Sequence, residues 1–312
     1  MAKANGNRMI LEKWLYDKGA VWPDPRICIS SPTENSWKVS VDDDRETFIY
    51  HMKRKACCSN MQSNEACFES WLLFFRALGM KKVIFSWDGI SNDELEKMIE
   101  YKEEMNAQEK KERNCARAYN RFLYRVYKFN QIFGSAGSGW FEVSEECFEN
   151  LMDSALITDY VDLAKKYYVN QQGDRRKLLN STNIDEEFEP NNQEEPDLNE
   201  KTEHEIERYF HARPSLFDLK ELHYQLPVGL FTVKNYAEKH ARFPARKGTI
   251  DLWSVDSESL KIFELKCPGN VQIGIFTELW FYSMFMNIVY HFLCTTFIYT
   301  ISKYSTNIYG FI

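Results

Sequence analysis

Two stretches near the C-terminus, Thr249–Val255 and Leu260–Lys266, alternate apolar and polar residues. Between them lies Asp256-Ser257-Glu258-Ser259, a turn composition. An antiparallel pair closed by that turn sets Val255 opposite Leu260 and Asp251 opposite Glu264. In this register Ile250, Leu252, Phe263 and Leu265 form one wholly apolar face, while Asp251, Glu264 and Lys266 share the other. A slip of one residue would send every side chain to the wrong face. Directly opposed Cβ atoms lie about 5 Å apart. Two carboxylates held that close repel unless a cation lies between them. Mg²⁺, a hard ion that takes oxygen ligands, meets that need.

The rest of the chain sets the context for this hairpin. Of 312 residues, 44% are hydrophobic and 27% charged, which excludes a collagen-like or wholly disordered chain. The net charge of −7 excludes a uniformly basic nucleic-acid coat but permits a local basic stripe. Eight scattered cysteines without a Cys-x-x-Cys pair are expected as reduced thiols. Met1–Trp14 is charged and lacks a long apolar run, so no secretory signal is expected and a cytoplasmic location is.

Ser181–Glu205 holds ten acidic residues and one lysine, interrupted by Pro190 and Pro196. It offers little to bury and reads as a solvated linker. The expected organisation is therefore a helix-rich α/β region over 1–180, an acidic linker over 181–203 and a second domain over 204–312. In the first region Pro25–Ser30, Trp37–Val41 and Thr47–Met52 are β-prone, and Lys82–Trp87 is a buried strand. Glu65–Leu78 is helical, Ser91 and Glu94 cap a helix running to about Phe133 with a break near Asn106, and Glu145–Tyr168 is helical. No catalytic triad, metal cluster or Walker lysine is legible there.

One feature of the long helix carries a functional expectation. Lys110, Arg113, Arg117, Arg121, Arg125 and Lys128 recur every three or four residues, and only Glu112 opposes them. Four-residue steps drift about 40° around a helix, so the cations wind into one stripe. Such a stripe is either a solvated face or a surface that tracks nucleic-acid phosphates.

The hairpin resembles the active-site motif of the PD-(D/E)xK nuclease superfamily, the restriction-endonuclease-like fold. The likeness rests on Asp251 followed by Glu264-Leu265-Lys266 in the next strand, and it spans about Glu200–Ile301. The expected element order around it is the shared α-β-β-β-α-β core. Ile250 stands where the proline that names the family would be. The resemblance implies a Mg²⁺- or Mn²⁺-dependent phosphodiesterase acting on nucleic acid, with DNA as the partner. Asp251, Glu264 and the Leu265 carbonyl would hold the ion. Lys266 would stabilise charge on the phosphate or orient a water, and Gln272 would position that water or a phosphate oxygen. A first-helix carboxylate would come from Glu207 or Glu203, while Glu278 is expected to be structural. Oligomeric state stays open, a homodimer included.

Two other readings remain at this point. One is a non-catalytic nucleic-acid-binding or scaffold protein with a degenerate core. The other is a membrane tether, because Leu279–Ser302 runs 24 residues without Asp, Glu, Lys or Arg. Asn287, His291, Thr295 and Thr296 interrupt that run, and a buried helix followed by a buried strand also explains it. Limited proteolysis should cut first within residues 181–203; prior cleavage elsewhere, with this segment intact, would overturn the linker assignment.

Overall fold

The computed structural model describes residues 13, 16–17, 37–41, 47–153, 168–169, 202–232, 238–244, 248–255, 259–267, 273–290 and 293–300. The chain divides into two units. The first holds Met1–Lys166, Arg242–Pro244 and Val271–Glu278, and the second holds Tyr167–Ala241, Ala245–Asn270 and Leu279–Ile312. Both mix helices with small sheets. The β-prone run Pro25–Ser30, Gln272 and the acidic stretch from 181 to 201 lie outside the described residues.

In the first unit, period-2 alternation builds a sheet of β1 (Trp37–Val41), β2 (Thr47–Met52), β3 (Lys82–Trp87) and β4 (Phe141–Val143), in that order. β1 runs antiparallel to β2, while the β2–β3 and β3–β4 pairs are parallel. Phe48, Tyr50, Met52, Val83, Phe85 and Trp87 point inward and are buried. The helices are α1 (Arg54–Cys57), α2 (Phe68–Ala77), α3 (Asn92–Ile99), α4 (Ala107–Phe133) and α5 (Glu145–Asp153). Ser91 Oγ accepts the Glu94 N–H at the start of α3. The expected interruption covers residues 100–106, and Asn106 opens α4 with a reciprocal capping box to Glu109. Aromatic rings fill the space between α2, α4 and the sheet: Phe68 lies 4.9 Å from Phe85, and Phe129 lies 4.8 Å from Phe141. Buried ring pairs of this kind dominate core energetics.

The basic stripe is corrected by this packing. Arg113, Arg117, Arg121 and Arg125 are all buried. Lys110 is exposed, and Lys128 is half-buried and donates to Gln131. As placed, the four guanidiniums do not form a solvent-facing track for phosphates. Arg125 shows what they do instead. Its Nε donates to Glu69 Oε1 at 2.6 Å, one Nη2–H goes to Glu69 Oε2 and another to the Ala66 carbonyl, and its guanidinium lies over the Phe68 ring. Arg113 Nε donates to the Ile99 carbonyl. A helix covered on most sides must satisfy its cations internally, and the acid comes from α2, remote in sequence.

Two further expectations are corrected. Cys58 and Cys115 form a disulfide, with Cα atoms 4.6 Å apart, that ties the end of α1 to α4. Cys57, Cys67 and Cys147 are buried thiols; burial pushes Cys67 up to about 12, so it stays unreactive. The helix expected over Glu145–Tyr168 is described only to Asp153, and Tyr168 lies in strand β5 (Tyr168–Val169).

In the second unit, β5 pairs with β7 (Leu230–Phe231). The main sheet has the order β10-β9-β8-β6, from β6 (His223–Pro227), β8 (Thr249–Val255), β9 (Ser259–Lys266) and β10 (Leu293–Thr300). Helix α6 (Glu203–His211), expected over Lys201–Ala212, opens with a Thr202–Glu205 capping box and carries Glu203 in its first turn. Ile206 packs with Leu222, Leu252, Phe263 and Leu265 in one core. The apolar C-terminal run divides into α7 (Gly274–Tyr290) and β10, and β10 lies parallel to β9. Among the described residues no helix is long and apolar enough to cross a membrane.

Removing one partner of the Arg125–Glu69 pair leaves a charge in the core. Glu69→Ala should destabilise the chain by about 3–5 kcal/mol, read as a lower urea midpoint. The joint change Arg125→Met, Glu69→Leu should be milder than either single change to alanine.

Candidate functional site

The β8–β9 hairpin sets the site. Four ladder pairs, from Leu252↔Phe263 to Val255↔Leu260, follow the register read from the alternation. One further step in that register brings Asp251 opposite Glu264. There the ladder gives way to side-chain bonding: the Leu265 N–H donates to Asp251 Oδ2 at 2.7 Å. Lys266 Nζ donates to Glu264 Oε1 at 2.6 Å and to Glu203 Oε1 at 3.1 Å. Asp251 and Glu264 are buried, and the Lys266 side chain is only 11% exposed.

Helix α6 delivers two carboxylates from one face, because Glu203 and Glu207 are four residues apart. They are not alternatives. Glu203 bonds Lys266, while buried Glu207 accepts a hydrogen bond from Gln225 Nε2 at 2.8 Å and lies 3.4 Å from His204 Nδ1. Gln225 is a participant that the sequence does not announce. Its φ of 57° lies in the left-handed region, uncommon for a residue other than glycine. The β6–β8 ladder pairs Tyr224 with Leu252 and Leu226 with Ile250, skipping Gln225 opposite Asp251. The distortion sits beside the aspartate, and the side chain it carries anchors Glu207. No turn residue marks the position, so no local signal could have found it.

The electrostatics follow from this crowding. Burial pushes the Asp251 carboxyl well above the usual range, and the charge of Glu207 pushes it further. Lys266 and the Leu265 N–H oppose both without cancelling them. Burial also raises Glu207, against the Gln225 and His204 contacts. Two carboxylates, Glu203 and Glu264, thus contact one ammonium, with Asp251 near it and Glu207 beside Asp251. Such a cluster is relieved by taking up protons or a cation, and its all-oxygen donors suit a hard divalent ion. Among the described residues no three His, Cys, Asp or Glu side chains already stand as a metal-holding group. The fit therefore lies in donor chemistry and charge rather than in a preformed cage.

Of the other expected residues, Leu265 buries its side chain in the core and uses its N–H on Asp251. Gln272 lies outside the described residues. Glu278 accepts from Gln62 within the first unit, a structural contact.

The raised Asp251 and Glu207 values have a defined sign. The folded state keeps protons that the unfolded chain releases, so their stabilisation is full below the ordinary carboxylate range. It is lost as pH rises through the raised folded values. Melting temperature should therefore fall from about pH 4 towards neutrality, and Asp251→Asn should flatten that slope while making the chain more stable at pH 7. Differential scanning calorimetry across pH checks both outcomes.

Comparison with protein-family models, curated proteins and solved structures returns no match for this chain.

Proposed function

We propose that the chain is a metal-dependent nuclease that hydrolyses phosphodiester bonds in DNA, with Asp251, Glu264 and Lys266 as its catalytic constellation. The observation that carries this reading is the buried surplus of carboxylates around a single lysine on the β8–β9 hairpin. It is supported by the element order α6-β6-β8-β9-α7-β10 with the last strand parallel to β9, the succession expected of a restriction-endonuclease-like core. Such an enzyme would meet its substrate in the cytoplasm.

Asp251 and Glu264, with the Leu265 carbonyl, would hold Mg²⁺ or Mn²⁺. When bound, the ion would supply positive charge for the phosphate and lower the pKa of a water. The remaining work falls to the chain itself. The Lys266 ammonium offers a fixed donor and a positive charge to a phosphate oxygen, where negative charge grows in the transition state. Glu203 holds that ammonium in place from α6. Glu207 stands beside Asp251, with Gln225 fixing its orientation. Gln272 is assigned to the attacking water on the resemblance alone.

The test is supercoiled plasmid and single-stranded DNA incubated with the chain in Mg²⁺, Mn²⁺ or EDTA. Cleavage should require the ion. Lys266→Ala should lower the saturated rate by about 10²–10³-fold with DNA affinity nearly unchanged, because it removes a group aimed at the reacting phosphate. Binding without cleavage in either ion would point instead to a non-catalytic DNA-binding protein.

A further inference from the structure

The first unit carries a second constellation that the nuclease reading does not use. His51 on β2 and Ser86 on β3 are direct partners in the parallel register. Ser86 Oγ lies 2.9 Å from His51 Nδ1, and His51 Nε2 lies 3.0 Å from Asp88 Oδ1. An ionised carboxylate can only accept, so the proton of a neutral His51 sits on Nε2. Nδ1 is then the acceptor for the Ser86 hydroxyl proton. The order is serine to imidazole to carboxylate, the arrangement that activates a hydroxyl nucleophile. No spacing in the sequence signals it, because parallel pairing alone unites positions 51 and 86.

The scaffold holds the three groups firmly. The Asp88 N–H donates to the Met52 carbonyl at 2.9 Å, and Asp88 Oδ2 accepts the Arg54 N–H at 3.1 Å. Lys53 Nζ lies 4.0 Å from Asp88 Oδ1. Burial pushes the Asp88 carboxyl up, but the Arg54 N–H, the His51 contact and the charge of Lys53 outweigh it. The carboxyl is thereby kept below its usual range and ionised at neutral pH. The site is reachable, since His51 is 29% exposed and Asp88 41%. It sits at the carboxyl ends of neighbouring parallel strands, where open α/β sheets bind ligands. Ile49 and Ile84 pair with each other two residues before His51 and Ser86, on the same face, and Ile49 is 39% exposed. Beside the hydroxyl there is therefore an apolar strip suited to an acyl chain.

The geometry points to a second active centre in which Ser86 is the nucleophile, His51 the general base and Asp88 the positioning residue, acting on carboxylic esters whose acyl group lies over Ile49 and Ile84. In the first step Ser86 Oγ bonds the carbonyl carbon and its proton passes to His51 Nδ1. The C–O bond to the leaving alcohol breaks, and the alcohol takes that proton. Water then repeats the sequence on the acyl-serine, with His51 again accepting and returning a proton, so ester and water give acid and alcohol.

The full chain incubated with a rhodamine-tagged fluorophosphonate tests this. The Ser86 Oγ–P bond should form with loss of fluoride, giving one adduct that maps to the peptide containing Ser86. Ser86→Ala should abolish the adduct. His51→Gln should slow its formation on the order of 10²-fold, the scale of a lost general base. Asp88→Asn should also slow it and change its pH profile, an effect that a merely structural aspartate would not produce. No adduct on the unsubstituted chain, an adduct elsewhere, or equal labelling of His51→Gln would each overturn the assignment. The unsubstituted chain is decisive even if a variant fails to fold.

Discussion

The pairing register of β8 with β9 is the constraint on which the second unit depends. Once Val255 faces Leu260, Leu252, Phe263 and Leu265 must join Ile206 and Leu222 in the core. The same geometry forces Asp251, Glu264 and Lys266 together on the opposite side. A register that buried the acids without the lysine, or the lysine without the acids, would lose the apolar core as well. Folding and chemistry are thus fixed by one choice, and the hydrophobic face holds in place a polar cluster that would otherwise push itself apart.

That cluster opposes folding at neutral pH. Burial and Glu207 both raise the Asp251 carboxyl, and a single lysine shared between Glu203 and Glu264 does not restore balance. The first unit handles a buried acid differently. Glu69 is matched by Arg125 through two parallel hydrogen bonds, and Thr277 Oγ1 adds a third donor. One buried carboxylate is fully answered by its surroundings and stabilises a core. The other group is left short of positive charge, the condition in which a site gains from taking up a cation.

What could be read from the sequence was local. β-prone runs bounded by turn residues marked β1 and β2, a buried run marked β3, and Ser91 with Glu94 marked a helix start because a cap acts within three residues. The hairpin register was legible because turn and alternation lie in adjacent positions. The basic stripe misled for the converse reason: helical spacing reports which cations share a face, not whether another element covers that face. Glu69, the acid that receives Arg125, is 56 residues away. Gln225 gave no signal because its left-handed backbone follows from the break opposite Asp251, not from a turn residue. Ser86 and His51 were invisible because parallel strands meet only through long connections.

The position of β10 has a consequence for how the second unit is made. It is the last strand of its sheet, it follows α7, and it covers the outer side of β9 along the whole length from Ser259 to Lys266. On a ribosome, Glu264 and Lys266 emerge well before it does. Until Leu293–Thr300 docks, β9 is an open edge whose backbone groups could template pairing with another nascent chain. Because the docking is parallel and spans a helical crossover, it is also among the slower pairings a sheet can form. The strand carrying the lysine therefore passes through an interval of exposure to aggregation during synthesis.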